Sequence, residues 1–305
     1  MRRNVTVLVL CFVLVLISAS LFADSFVLTG NRLKVGVSNS GALIDDSVTC
    51  GIQYDTTGTG SFGAFDYLRP GTPFEFWSLG VYASDGSIPY YAAGNPGAGL
   101  DPNPFGLTTT DTSSGGMLMA HTTGSWVDQN LGINLDIANN VGFFPDGDAI
   151  FLSTWLTNNS DTAAEGYFAR GADPDQDSDI YGTTYTINII PDASEVVAIG
   201  PASGYWISLI ASGGESGPGG LASINYPWWT DPSFLYNARP DAGNGDCSMD
   251  VAWHWTLDPG QTLIMQYTYQ LGYDEPQPNN VPEPGTMSLL GLGAMGLLGL
   301  RRRKQ

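Results

Sequence analysis

The chain has 305 residues, with 30 Asp and Glu against 11 Lys and Arg, and its net charge is −19 at pH 7. Residues 24–280 alone hold five basic and 29 acidic side chains, a net charge of −24. Such a surface repels nucleic acids and anionic lipids, because no basic patch exists to displace counterions from phosphates. About 250 residues can bury a substantial core, and aromatic residues recur throughout, so a disordered chain is excluded.

Residues 1–23 predict a secretory signal peptide. A positively charged start is followed by an apolar stretch at residues 5–17 and a region of small residues at 18–23. We expect cleavage after Ala23, with Ser20 as the alternative site. An uncleaved membrane anchor is the other interpretation, which the short apolar stretch disfavours. The pattern predicts export through the Sec translocon.

Residues 24–275 contain many short stretches of alternating apolar and polar residues, separated by turns rich in Gly and Pro. Such stretches predict β-strands. They start at Leu33, Phe74, Ile133, Ile150, Tyr185, Val196, Tyr205, Val251 and Leu263. No stretch before position 281 keeps a helical apolar period over three turns. We therefore predict an all-β fold, one large antiparallel β-sandwich over residues 24–275, with two small sandwiches as the alternative.

The last two of these stretches form the clearest predicted strand pair. Residues 251–257 and 263–271 each place their large apolar side chains on one face. The segment 258–261, Asp-Pro-Gly-Gln, suits a tight turn, since Pro presets φ and Gly accepts a positive φ. We expect a β-hairpin here.

The most distinctive polar motif has Asp at alternate positions, namely Asp173, Asp175, Asp177 and Asp179. Four carboxylates within one turn repel one another unless a cation or solvent screens them. A Ca²⁺ ion takes about six to eight oxygen ligands, several of which such a loop can supply. The motif predicts a calcium site, with a solvated acidic loop as one alternative and a loop held by Arg170 as another. Smaller acidic turns occur at 146–148 and 244–246.

Residues 170–177 are also faintly similar to the mutarotase-like supersandwich domains of carbohydrate proteins. The resemblance implies a supersandwich form of the predicted fold. It is too diffuse to transfer any site residue.

Catalytic residues cannot be identified from the sequence. Only two His are present, and there is no nucleophile elbow, zinc-binding helix or zinc-like cysteine cluster. Glu75 is flanked by aromatic residues and is the best candidate for a carboxyl group with a raised pKa. We therefore predict a protein without catalytic activity. The alternative is a secreted carbohydrate-active enzyme, a glycoside hydrolase or lyase, on the same scaffold.

Trp228 and Trp229 lie in the Pro-containing segment 226–229. Exposed tryptophan often marks a binding surface, and these two side chains would stack on sugar rings. In the alternative interpretation they close one end of the sandwich core. The segment predicts a polysaccharide-binding surface.

Cys50 and Cys247 are the only cysteines that follow the predicted signal peptide. Export into an oxidising compartment allows a disulfide between them. Two free, buried thiols are the alternative, because the sequence does not show whether the two Cα atoms approach within about 7 Å.

The C-terminal segment 281–305 follows a predicted linker at 276–280 and has three parts. Pro282, Glu283 and Pro284 come first, then the uncharged segment 287–300, then the basic residues Arg301, Arg302, Arg303 and Lys304. As a helix, residues 284–300 would span about 25 Å, slightly less than a bilayer core of about 30 Å. The basic end favours the cytoplasmic side. A short core helix is the alternative, but it would show a polar face.

This order of parts resembles the PEP-CTERM sorting signal. The resemblance implies that Pro282, Glu283 and Pro284 are recognised by an exosortase, an integral-membrane, cysteine-dependent transpeptidase or protease of Gram-negative bacteria. It also implies that residues 287–300 hold the chain transiently in the inner membrane, with residues 301–304 as a cytoplasmic stop. The sequence as a whole predicts an exported protein of the cell surface or extracellular matrix that binds polysaccharide or calcium.

Overall fold

The computed structural model describes residues 25–63, 65–94, 99–101, 103–212 and 219–274. The strands in these residues are β1 (Phe26–Thr29), β2 (Leu33–Val37), β3 (Ile52–Tyr54), β4 (Glu75–Val81), β5 (Tyr90–Gly94), β6 (Thr108–Asp111), β7 (Leu118–Asp128), β8 (Ile133–Phe143), β9 (Ala149–Asn158), β10 (Ala164–Ala172), β11 (Ile187–Asp192), β12 (Glu195–Ile199), β13 (Tyr205–Ser212), β14 (Leu221–Asn225), β15 (Ser248–Leu257) and β16 (Thr262–Tyr273). Two short helices accompany them, α1 (Ser178–Tyr181) and α2 (Pro232–Ala238).

The strands form two large sheets and one small sheet. The eight-stranded sheet has the order β11-β12-β13-β16-β9-β8-β7-β6, the five-stranded sheet β14-β15-β10-β4-β5, and the three-stranded sheet β1-β2-β3. The named strand pairs are antiparallel. The all-β sandwich prediction is confirmed.

The core lies between the two large sheets. Trp253 on β15 packs against Tyr267 on β16 with a ring-centroid distance of 5.5 Å, and Phe168 on β10 approaches the same ring at 6.2 Å. In β8 and β16 buried and more exposed residues alternate, because one face of the eight-stranded sheet meets the core and the other meets solvent. This alternation defines an inner and an outer face of that sheet.

The central part of the five-stranded sheet is covered on both faces. Every residue of β4 is buried, and so is every residue of β15 from Ser248 to Trp253. The outer side carries a second apolar cluster that includes Phe74, Phe76 and Leu235. Leu235 belongs to α2, which lies over this side, so the two-sided apolar pattern of β4 reflects burial on both faces.

The predicted hairpin is wrong, although its two strands and its turn are present. Strand β15 pairs with β10 and β14 in the five-stranded sheet, whereas β16 pairs with β9 and β13 in the eight-stranded sheet. The turn, closed by a Gln261 N to Asp258 O hydrogen bond of 3.0 Å, carries the chain from one sheet to the other. The apolar faces of both strands thus meet across the core instead of lying side by side.

The predicted signal peptide, the linker at 276–280 and the segment 281–305 lie outside the described residues, so the domain division stays a prediction. Among the helices of the part of the chain that the structure describes, none is long and apolar enough to span a bilayer.

Candidate metal centre

Three carboxylates, those of Asp173, Asp175 and Asp246, converge at one end of the five-stranded sheet. Each offers one oxygen, and the three oxygens lie within 4.8 Å of one another. We call these residues the acidic trio. Strand register explains their meeting. Ala172, the last residue of β10, pairs with Met249 near the start of β15, so the chain leaving β10 and the chain entering β15 run side by side.

Backbone hydrogen bonds fix the loop that carries two members of the trio. The amide of Asp173 donates to Phe74 O over 3.0 Å, and the amide of Asp175 donates to Tyr67 O over 2.7 Å. Gly71 faces the carboxylate of Asp175 closely enough that a Cβ at this position would collide with it, and its φ is +68°. The two carboxylates are therefore held in position by the backbone around them.

The other two Asp of the predicted site point elsewhere. Asp177 accepts hydrogen bonds from the amides of Ala202 at 2.8 Å and Ser203 at 2.9 Å. Asp179 forms an ion pair with Arg69, with 2.9 Å between Nη2 and Oδ2. The predicted set of four Asp is therefore corrected to a set of three. In this set Asp246, from the acidic turn at 244–246, takes the place of Asp177 and Asp179. Sequence spacing did not show this partner because Asp246 lies far along the chain from Asp173.

Arg170 does not hold the acidic loop, which corrects that alternative. Its Nε donates to Glu75 Oε1 over 2.5 Å inside the sandwich, and both side chains are completely buried. Since strand residues alternate in direction and Arg170 points into the core, it is turned away from the trio. Burial raises the pKa of Glu75, although Arg170 opposes the shift. With no solvent exposure, Glu75 serves as the partner of Arg170 and not as a surface site.

Burial and mutual repulsion shift the pKa values of the trio upward. Burial first, and then Asp246, raises the pKa of Asp173 to about 7. Burial first, and then Asp173, Asp246 and Asp179, raises the pKa of Asp175 to about 9. The pKa of Asp246 is also raised by burial, against a hydrogen bond from Thr184. Three adjacent carboxylates are therefore costly to ionise together unless a cation balances them.

Several buried acceptors at the trio have no hydrogen-bond partner among the described residues. They are Asp173 Oδ1, Asp175 Oδ1 and Asp250 Oδ1. Asp250 is fully buried beside the trio, where burial and Asp173 both raise its pKa, and its other oxygen accepts a hydrogen bond from Ser248 Oγ at 3.0 Å. Buried oxygens of native proteins are normally paired. A hard cation with oxygen ligands is the partner that this chemistry suits.

The segment 226–229 lies against the acidic trio. The Trp228 indole N–H points toward Asp173 and lowers its pKa, but makes no hydrogen bond of standard geometry. Trp228 is half-buried and its ring lies 6.4 Å from that of Phe74 and 6.0 Å from that of Tyr226. Tyr226 is 61% exposed and Trp229 is 52% exposed. Of the two predicted stacking residues, Trp229 is thus presented to solvent, while Trp228 joins the rim of the trio to the apolar cluster below.

Cys50 and Cys247 are both free and buried. The Cys50 thiol faces the carbonyl oxygen of Lys34 in the three-stranded sheet, 3.8 Å away. Cys247 lies next to the trio, where burial first, and then Asp173, raises the pKa of its thiol to about 11. The two thiols belong to different parts of the fold, so the structure has the free-thiol alternative and not the disulfide.

The C-terminal sequence matches the family model of the PEP-CTERM protein-sorting motif over residues 280–304. The chain therefore carries an export and sorting signal read by an exosortase, and it is directed to the cell surface. It is an exported, exosortase-sorted protein built on an antiparallel β-sandwich. No curated protein matches the chain in sequence.

Solved structures with a similar fold share little sequence with the chain. The Slr1438 protein of Synechocystis sp. PCC 6803 superimposes with a TM-score of 0.49 and 9% identity, covering 83% of this chain and 96% of that one. A putative aldose 1-epimerase from Escherichia coli K12 has a TM-score of 0.43 and 10% identity, covering 82% and 99%. A galactose mutarotase-like protein from Lactobacillus casei ATCC 334 has a TM-score of 0.44 and 11% identity, covering 82% and 100%.

This comparison contradicts the prediction of a protein without catalytic activity. The similar structures include proteins described as aldose 1-epimerase and galactose mutarotase-like. We do not retain that prediction. The similarity itself assigns no activity to this chain.

Proposed function

We propose that residues 25–274 form a calcium-dependent carbohydrate-recognition domain of this exported surface protein. The observation that carries the proposal is the acidic trio, whose oxygens lie within 4.8 Å of one another beside an exposed aromatic segment. In the proposed site Asp173, Asp175 and Asp246 hold one Ca²⁺ ion. Tyr226 and Trp229 offer ring faces on which a sugar stacks.

The coordination chemistry supports calcium as the cation. Carboxylate oxygens suit hard cations, and Ca²⁺ accepts about six to eight of them in flexible geometry. The trio supplies at least three oxygens, and Asp173 Oδ1 and Asp175 Oδ1 are buried without a hydrogen-bond partner among the described residues. Asp246 is half-buried, so the trio opens toward solvent on its side. Sugar hydroxyls or water would complete the coordination there.

The charge of the protein supports a role outside the cell. Residues 24–280, with a net charge of −24, attract divalent cations from their surroundings. Extracellular modules bind calcium with dissociation constants of about 0.1–1 mM, which suits a solvent-accessible site with few ligands. An exported protein with a calcium site and exposed aromatic rings is suited to bind polysaccharide.

A second candidate function is acid–base chemistry on a sugar at the same residues. Asp173 with a pKa of about 7 and Asp175 with a pKa of about 9 would differ in protonation near neutral pH. Two neighbouring carboxyl groups with separated pKa values are the arrangement that general acid and base catalysis uses. In this alternative the trio works without a cation, and calcium inhibits.

Affinity electrophoresis of the full chain in gels containing soluble polysaccharides, combined with a reducing-sugar assay on the same polymers, tests both functions. We expect retardation by at least one polysaccharide with calcium at about 1 mM, and weaker retardation on adding EDTA. Retardation that is identical with EDTA contradicts calcium-dependent recognition. Sugar release that is inhibited by calcium supports the second candidate.

A further inference from the structure

The outer face of the eight-stranded sheet carries a depression of about 330 Å³, whereas the acidic trio lies at one end of the five-stranded sheet. It is lined by Thr123, Ser125, Asp136, Ala138, Trp155 and Thr157, among others. Its volume lies at the lower end of the range of about 300–1,000 Å³ found for small-molecule sites. The ring of Trp155 forms one wall and is 44% exposed.

Strand register explains why the sheet is hollow at this point. Trp155 on β9 pairs with Ala138 on β8, and Ala138 pairs with Thr123 on β7. These positions lie in one row across the sheet and share its outer face. A large flat side chain followed by two small ones leaves space beside the indole ring.

A row of hydrogen bonds holds the indole ring in one orientation. Trp155 Nε1 donates to Ser153 Oγ over 3.2 Å, and Asn140 Nδ2 donates to the same oxygen over 3.1 Å. The Oδ1 of Asn140 lies 2.7 Å from His121 Nδ1. A ring fixed in this way loses little conformational entropy when a ligand stacks on it.

The opposite side of the depression offers polar groups that are also held in place. Ser125 Oγ donates to Asp136 Oδ1 over 2.7 Å, and Asn159 Nδ2 donates to Asp136 Oδ2 over 2.7 Å. The hydroxyls of Thr157 and Thr262 lie 2.8 Å apart. A carboxylate and hydroxyls at the edge of an aromatic face are the groups that bind sugar hydroxyls while the ring binds the apolar side of a pyranose.

We propose that this depression is a second saccharide-binding site, which takes a pyranose unit of an uncharged polysaccharide on the face of Trp155. Asp136, Ser125 and Thr157 hydrogen-bond its hydroxyls. Residues 24–280 have a net charge of −24 and Asp136 lines the site, so an acidic sugar is repelled. We therefore expect an uncharged occupant. The site needs no cation, and it is therefore independent of the function proposed for the acidic trio. With both sites the domain binds polysaccharide on two surfaces.

Isothermal titration of the full chain with cellohexaose, maltohexaose and xylohexaose, all in EDTA, tests this site separately from the calcium-dependent one. We expect one of the three to bind, Trp155→Ala to weaken that binding by about tenfold or more, and Trp155→Phe to retain most of it. Phe144→Ala, at an aromatic residue that is 40% exposed and does not line the depression, is the matched control and leaves the affinity unchanged. Because Trp155 lies on the outer face, its replacement keeps the fold, which far-UV circular dichroism checks.

The inference is overturned if none of the three oligosaccharides binds the wild-type chain in EDTA. It is also overturned if Trp155→Ala and the wild type bind the same oligosaccharide equally. Failure of calcium binding at the trio leaves this experiment unaffected, so the two proposals fail separately.

Discussion

The guanidinium of Arg170 donates to Glu75 Oε1 over 2.5 Å, and neither side chain reaches solvent. Tyr269 Oη donates to the same oxygen over 3.2 Å, and the amide of Leu43 donates to Glu75 Oε2 over 2.7 Å. This pair connects β4 and β10 of the five-stranded sheet to β16 of the eight-stranded sheet. Because Arg170 is paired with Glu75, the arginine nearest in sequence to Asp173 does not neutralise the acidic trio.

Removing one partner of this ion pair should destabilise the fold strongly. Arg170→Ala leaves the Glu75 carboxylate buried without a charge partner, and breaking a buried pair in this way costs about 3–5 kcal/mol. Replacing both partners, as in Glu75→Gln with Arg170→Met, should cost less because no buried charge remains. Urea unfolding followed by tryptophan fluorescence measures both. A single variant as stable as the wild type would show that the pair is not an essential part of the core.

Without calcium, the stability of the chain should fall as the pH rises from about 4 to about 9. Asp173 and Asp175 have folded-state pKa values of about 7 and about 9, against an ordinary value of 3.8. The folded state therefore binds more protons than the unfolded state, and its advantage is lost as each group ionises. Melting temperatures in EDTA at several pH values measure the slope.

Asp175→Asn is the variant that checks the cause of this slope, because it keeps the shape and removes the ionisation. We expect its stability to fall less between pH 6 and 9 than that of the wild type. Asp179→Asn carries the same change on the same loop, at a carboxylate paired with Arg69 near the surface. A slope unchanged by Asp175→Asn, or changed equally by both variants, would refute the assignment to the trio.

Calcium should raise the melting temperature of the wild-type chain. A ligand at about 100 times its dissociation constant adds about 2.7 kcal/mol, and about 2–4 °C follows per kcal/mol in a domain of this size. We expect a shift of several degrees in the wild type and in Asp179→Asn, and little shift in Asp175→Asn. Differential scanning fluorimetry with calcium and then EDTA makes the comparison, in which equal shifts in all three chains would contradict the site.

The two tryptophans of the segment 226–229 should respond differently to truncation. Trp228 is half-buried against Phe74, so Trp228→Ala removes packing and should lower stability by about 1–3 kcal/mol. Trp229 is mostly exposed, so Trp229→Ala should leave stability within about 0.5 kcal/mol and weaken calcium-dependent polysaccharide retardation. Urea unfolding and affinity electrophoresis measure the two effects. Unchanged retardation in Trp229→Ala would remove this residue from the binding surface.

The fold class could be predicted from the sequence because strand alternation is a local property. The placement of β15 and β16 in different sheets could not be predicted, since a turn of the same residues serves both a hairpin within one sheet and a connection between two sheets. The two-sided burial of β4 depends on α2, which lies in a distant part of the sequence. Sequence distance alone does not show which helix covers which strand.

The candidate site shows the same limit. The sequence predicts Asp173 and Asp175 as ligands because a loop with Asp at alternate positions can supply several oxygens to one cation. At the start of α1 the chain turns, and the Asp177 carboxylate accepts hydrogen bonds from the amides of Ala202 and Ser203 instead of joining the trio. Asp246 joins the trio only through the register of β10 with β15. A local pattern therefore located the site, and a long-range strand pairing completed it.

Isothermal titration of the purified full chain with calcium chloride tests the central claim most directly. We expect one Ca²⁺ ion to bind per wild-type chain, with proton release that grows as the pH falls, and no binding in Asp175→Asn or Asp246→Asn. Asp179→Asn should bind like the wild type. A wild-type chain that gives no binding heat, or an Asp175→Asn chain that binds calcium as tightly as the wild type, would contradict the account.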